Sequence, residues 1–221
     1  MSQYHKDTDT SKREPLRIKI CGMKHNTAEV GTILHPDYLG FIFWGPSKRN
    51  FNGRPTALPH GIKKVGVFVD AYIEEIIEMV NTHQLLAVQL HGGETPGFCR
   101  MLKNSLMGVS IIKAFPIGKT FDFKVLGPFG PVCDYFLFDT KGELPGGNGY
   151  KFNWGILKNY PFEKPYFLSG GIGLENIGSI REFLEQPESK LCHAIDVNSK
   201  FEIEPGLKDI GKLEKFIRNL K

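Results

Sequence analysis

An α/β fold, a single-domain (β/α)8 barrel of the TIM-barrel type, is predicted by three observations on the sequence. Eight short runs rich in β-branched and aromatic residues recur along the chain, each bounded by turn residues. Their starts lie roughly 20–30 residues apart, which leaves room for one crossover helix between parallel strands. The segments between them carry either helical periodicity or glycine-rich turns. A chain of 221 residues with 41% hydrophobic and 24% charged content can bury the core such a barrel needs, with few insertions and no fused second enzyme. An open doubly wound sheet is the competing architecture. No G-x-G-x-x-G follows the first strand, which weakens the dinucleotide-binding form of that alternative.

In chain order, residues 1–15 are polar, lack the apolar segment of a secretory signal and read as a short disordered tail, so the barrel spans 16–221. The strand candidates are RIKIC (17–21), YLGFIF (38–43), KVGVFV (64–69), LAVQL (86–90), SIIKAF (110–115), DYFLFD (134–139), PYFLS (165–169) and HAIDV (193–197). Between the third and fourth, Ile73, Ile76, Ile77 and Val80 recur at helical spacing. Leu174, Ile177, Ile180 and Leu184 do so after the seventh, and Ile210, Leu213, Ile217 and Leu220 at the C-terminus. The segments after strands two and six are weak as helices, and both contain long Gly/Pro-rich stretches.

In this architecture chemistry sits at the C-terminal ends of the strands. Cys21 closes strand one and Asp139 closes strand six, so both belong to that rim. Cys133 and Cys192 precede strands six and eight, at the opposite end, and Cys99 falls in the helix after strand four. Because residues i and i+2 share a face of a strand, Lys19 points with Cys21 into the barrel. The same rule groups Gln89 with His91 and Leu137 with Asp139, and Lys113 on strand five is a further inward candidate. An interior lysine must be paired or hydrogen-bonded. A buried polar layer at the barrel floor and a direct catalytic part are both open for Lys19, whereas Gln89 and His91 read as structural.

The loops after strands seven and eight are the habitual phosphate site of the fold. Here they read SGGI (169–172) and DVNSKFE (196–202): Gly170 and Gly171 let the backbone approach an anion, and Asn198 and Ser199 add polar side chains. A further cluster, PGGNG (145–149), follows Asp139 and contains Gly147 and Gly149. It reads as a connector, or as a lid or extra phosphate contact.

The net charge of +4 is modest, and Lys and Arg form no run of the kind that binds nucleic acid or a membrane surface. No apolar run approaches a membrane span. Four cysteines without C-x-x-C or Cys/His spacing imply reduced thiols in a cytoplasmic protein, with no metal site.

Taken together, the motifs resemble the phosphoribosylanthranilate isomerase family over nearly the whole chain after the tail. The resemblance is carried by K-I-C-G (19–22), G-F-I-F with S-K-R (40–43, 47–49), V-G-V-F-V (65–69) and V-Q-L-H-G-x-E (88–94). It continues through F-D-T (138–140), G-G-N-G-x-x-F-x-W (146–154), S-G-G-I-x-x-x-N-I (169–177), and D-V-N-S-x-x-E with P-G-x-K-D (196–209). The chain departs from the family pattern at Lys48, at Asn148 and in the run D-V-N-S-K-F.

The resemblance implies an Amadori rearrangement of N-(5′-phosphoribosyl)anthranilate in tryptophan biosynthesis, without metal or organic cofactor. The substrate is a phosphorylated small molecule, and no nucleic acid, membrane or obligate protein partner is implied. On the same ground Asp139 is the expected general acid, Cys21 the expected general base, and Arg49 the contact for the anthranilate carboxylate. Gly147, Gly149, Gly170, Gly171, Asn198 and Ser199 are the expected substrate loops, with Lys19, Gln89, His91 and Lys113 as supporting candidates. A free thiol titrates at about 8.5, and Lys19 beside it would lower that value, while a carboxyl acting as an acid is favoured by burial, which raises its value. The alternatives are another phosphate-binding barrel isomerase or epimerase, and a catalytically dead barrel kept as a binding module.

Overall fold

The structure, a computed structural model, describes residues 16–54, 57–118, 120–140 and 154–220. The expected tail and the cluster holding Gly147 and Gly149 lie outside the described residues.

Eight parallel strands close a barrel in chain order. They are β1 (Arg17–Ile20), β2 (Tyr38–Ile42), β3 (Lys63–Phe68), β4 (Ala87–Leu90), β5 (Ser110–Ile117), β6 (Tyr135–Thr140), β7 (Tyr166–Ser169) and β8 (Cys192–Val197). Each expected strand is present, with ends differing by at most two residues. The barrel closes between β1 and β8, where Lys19 is in register with Asp196.

Both faces of the sheet are buried, and that explains why the strands read as nearly continuous apolar runs. One face fills the barrel with Tyr38, Val65, Ala87, Leu137, Phe167 and Ala194. The other packs beneath the helices, through residues such as Ile20, Leu39, Val88, Ile111, Phe136 and Leu168. Burying a side chain of this size contributes about 1.5–3 kcal/mol, so the double-sided sheet is the main source of cohesion.

The helices are α1 (Thr27–Leu34), α2 (Ile73–His83), α3 (Pro96–Ser105), α4 (Ile177–Leu184) and α5 (Ile210–Leu220). Thr95 caps α3 by accepting from the Phe98 amide at 3.2 Å, and Pro96 opens the first turn, where its missing N–H costs nothing. The buried stripe of α5 runs through Leu213 and Phe216, and that of α2 through Ile76, Val80 and His83.

Regular strand–helix alternation fails after β2, as its weak helical pattern predicts, and also between β5 and β6, where the sequence pointed to no such weakness. Among the described residues no helix links β2 to β3, a stretch containing Pro46, Pro59, Gly45, Gly53 and Gly61. A 3-10 segment, Phe123–Phe129, stands between β5 and β6, and another, Trp154–Asn159, precedes β7. One feature was not expected: an antiparallel hairpin of β9 (Glu202–Glu204) and β10 (Leu207–Lys208) after β8. Among the described residues no helix is long and apolar enough to cross a membrane.

Candidate active site

Cys21 follows β1 directly, and its amide donates to the Val197 carbonyl of β8 at 2.8 Å, so it continues the barrel pairing onto the C-terminal rim. Gly22 then turns the chain with φ of 72°. A Cβ there would meet Asn198 Oδ1 at 2.6 Å and Arg49 Cδ at 2.8 Å, so only glycine lets these neighbours close over the turn. The other three cysteines are buried free thiols away from the rim, as expected.

A cavity of about 310 Å³ opens over the C-terminal strand ends. Cys21, Gln89, His91, Asp139 and Asp196 are among its lining residues. One side is apolar, with Ile42, Trp44, Val67 and Val69 from the ends of β2 and β3. The opposite side is the small polar set Ser169, Gly170, Gly171, Asn198 and Ser199. Gly170 and Gly171 both have positive φ, 103° and 62°, a backbone open to an approaching anion. The lining therefore combines apolar strand ends from β2 and β3, glycine and small polar residues after β7 and β8, and a thiol and a carboxyl as proton-transfer candidates.

Asp139 ends β6 and stays 27% exposed, with His91 Nε2 at 3.4 Å from its Oδ2. Gln89 Nε2 lies 2.8 Å from His91 Nδ1. With the amide donating to Nδ1, the ring proton sits on Nε2 and faces Asp139. Gln89 and His91, read from the sequence as structural, thus form a chain leading to the carboxylate.

Lys19 is fully buried and donates to Asp196 Oδ2 at 2.9 Å. Burial by itself would pull the lysine down, but Asp196 and Cys21 outweigh it and raise its pKa, so the ammonium persists. For Cys21 the balance goes the other way. Burial pushes the thiol up, Lys19 and Lys208 pull it down, and the net direction is upward. The expectation that Lys19 lowers the thiol holds for its own contribution, and desolvation exceeds it.

Lys113 is placed differently from expectation, and Arg49 is engaged by a partner the sequence did not show. Lys113 does not face the barrel interior. Ile112 and Ala114 take that face, so Lys113 points outward with Ile111 and Phe115. Its ammonium donates to Gly92 O at 2.8 Å and Glu94 Oε2 at 3.0 Å. Glu94 in turn accepts from the Asp70 and Gly92 amides, so the pair braces the turn that follows His91. Arg49 borders the site at the Gly22 turn, outside the cavity lining itself, and its Nε donates to Glu202 at 2.9 Å.

Glu202, Lys208, Asp196 and Gly40 stand in the motifs that carry the resemblance, but no site role follows for them from the sequence. Lys208, fully buried, donates to Asn198 Oδ1 and Glu202 Oε1, each at 2.8 Å, and so links the β8 loop to the Arg49 clamp. Burial pulls Lys208 down; Glu202 is lowered by Arg49 and Lys208, against the upward push of its own burial. Asp196 was recoverable: it lies two residues before Asn198 on the inward face. Glu202 was visible as the last residue of D-V-N-S-x-x-E, but its part in holding Arg49 and Lys208 was not, because that depends on the β9–β10 hairpin.

The sequence profile of the family described as N-(5′-phosphoribosyl)anthranilate isomerase matches residues 18–219. The chain is 46% identical over 211 residues to an N-(5′-phosphoribosyl)anthranilate isomerase of Parabacteroides distasonis, covering 92% of each chain. Its fold is similar to phosphoribosyl anthranilate isomerase of Thermotoga maritima, with a TM-score of 0.77 and 30% identity over 93% of this chain and 98% of that one. It is also similar to such an isomerase in complex with reduced 1-(o-carboxyphenylamino)-1-deoxyribulose 5-phosphate, with a TM-score of 0.71 and 27% identity over 93% and 98% of the two chains.

Proposed function

The chain belongs to the N-(5′-phosphoribosyl)anthranilate isomerase family, and we propose that it works with Asp139 as general acid and Cys21 as general base. The reaction is the aldose–ketose isomerisation of N-(5′-phosphoribosyl)anthranilate to 1-(2-carboxyphenylamino)-1-deoxyribulose 5-phosphate, a step of tryptophan biosynthesis. The observation that carries the residue assignment is the shared cavity: a thiol and a carboxyl stand between an apolar wall and a glycine-lined anion site.

Asp139 gives its proton to the ribose ring oxygen, the C1′–O bond breaks, and the nitrogen lone pair forms the protonated Schiff base. That cation acidifies the C2′ hydrogen, so a weak base suffices. The Cys21 thiolate takes this proton and the electron pair moves into the C1′–C2′ bond, giving an enolamine. Proton loss from the 2′-hydroxyl and gain at C1′ complete the ketone. Only protons move, and this reading assigns no metal or organic cofactor.

The phosphate suits the backbone amides around Gly170, Gly171 and Ser199, and the anthranilate ring suits Trp44 and Ile42 at the other end. Arg49 is the cation assigned to the ring carboxylate: Glu202 takes its Nε and Nη2, and among the described residues no hydrogen bond engages Nη1. A phosphorylated small molecule is the only partner assigned, and four free thiols fit a cytoplasmic setting. The test is turnover of N-(5′-phosphoribosyl)anthranilate, followed by loss of its fluorescence. The wild type is expected to be active, and Cys21→Ser and Asp139→Asn to lose about 100-fold or more. An inactive wild type, or two variants near full rate, would overturn the reading.

A further inference from the structure

Asp196 carries an unused oxygen. Its Oδ2 is taken by Lys19 at 2.9 Å, in a pair whose side chains are 4% and 0% exposed. Its Oδ1 is buried and has no hydrogen-bond partner among the described residues. Native proteins rarely leave a buried carboxylate oxygen unpaired, and Asp196 is part of the cavity lining. Gln89 Oε1 is a second buried acceptor on the same cavity without a partner among the described residues. What is missing from this wall is a hydrogen-bond donor. The substrate's phosphate and carboxylate are anions and would be repelled, which leaves its sugar hydroxyls.

Register narrows the choice among those hydroxyls. Lys19 is level with Asp196, and Cys21 lies two residues further on, just past the end of β1 and on the same inward face. The acceptor and the thiol therefore occupy neighbouring strands, one step apart in depth. A carbon bearing both a hydrogen and a hydroxyl can present the first to Cys21 and the second to Asp196.

We propose that Asp196, with its other oxygen held by Lys19, accepts a hydrogen bond from the substrate's 2′-hydroxyl and so turns the C2′ hydrogen toward Cys21. This rests on the reading of Cys21 as the base. The role is one of positioning, made by direct contact with the substrate.

The probe is reduced 1-(o-carboxyphenylamino)-1-deoxyribulose 5-phosphate, whose C2′ carries both a hydrogen and a hydroxyl, compared with its 2′-deoxy congener by titration calorimetry. The wild type is expected to bind the deoxy form about ten- to a hundredfold more weakly, the span of a hydrogen bond to a charged group. This arm needs no variant. The second arm is Lys19→Met with Asp196→Leu, a pair exchange that buried ion pairs often tolerate. It is expected to bind the two analogues equally. A wild type that does not distinguish the analogues, or a double variant that distinguishes them as well as the wild type does, overturns the proposal and leaves the isomerase reading standing. A wild type that neither binds the reduced analogue nor turns over the substrate overturns both.

Discussion

Gly40 on β2 leaves the space in which the Cys21 thiol sits: a Cβ added there would lie 2.9 Å from Sγ and 3.1 Å from the Cys21 Cα. Real Cβ atoms almost never come that close, so either the thiol or the strand must give.

Gly40→Ala should therefore act on the chemistry more than on the fold. Displacing a reacting group costs on the order of a hundredfold for about 1 Å, and overpacking costs about 1–3 kcal/mol. We expect kcat to fall ten- to a hundredfold with the cooperative unfolding transition retained. Steady-state kinetics and urea denaturation on the same preparation measure both, and unchanged kcat would show that the thiol is not confined there.

The Cys21 thiol should ionise late. Its burial raises the pKa and exceeds the opposing pull of Lys19. Ultraviolet thiolate absorbance, taken as the difference between wild type and Cys21→Ser, should develop only above the ordinary thiol value of about 8.5. Lys19→Met removes the strongest downward influence, so in that variant the difference signal should move further toward alkaline pH. A signal already complete at neutral pH would contradict both expectations.

His91 reaches Asp139 at 3.4 Å while Gln89 holds its other ring nitrogen at 2.8 Å. His91→Ala should cost about ten- to a hundredfold in kcat, the range for losing a hydrogen bond to a charged group. KM should move less, because the Gly170–Gly171 loop and the Trp44 side of the cavity, proposed to hold the phosphate and the ring, are untouched. A change confined to KM would point to substrate binding instead.

Glu202 holds Arg49 and Lys208 together, and its pKa lies below the usual carboxylate range because those cations outweigh its burial. A group whose folded pKa is depressed takes up protons more readily in the unfolded chain. Its contribution is thus complete above the unfolded value of about 4.3 and fades as pH falls through the lower folded value. Glu202→Gln should flatten the acid dependence of stability in that window. It should also raise KM several-fold by loosening Arg49, which kinetics at neutral pH would register.

The outward placement of Lys113 gives a stability prediction in place of a catalytic one. Lys113→Met leaves Glu94 buried without its cation, a loss of roughly 3–5 kcal/mol in chemical denaturation. Replacing both partners with apolar residues should recover most of that.

The eight strands, their order and the rim position of Cys21 and Asp139 were legible because they depend on short-range rules: β-branched runs, turn residues between them and the two-residue alternation of side chains. Lys113 was misplaced because its strand is apolar on both faces, so alternation alone could not tell inside from outside. The pattern of Ile112 and Ala114 became informative only once the sheet had closed. Likewise Gly40 can spare Cys21 its space only because β1 and β2 are neighbours. The Arg49–Glu202–Lys208 clamp and the unused oxygen of Asp196 join residues from opposite ends of the chain. Local residue preference places a side chain on a face and at an end of its strand. Which groups then meet, and which way burial and neighbouring charge tip the thiol, depends on barrel closure, the step that brings β8 beside β1 and removes water from between them.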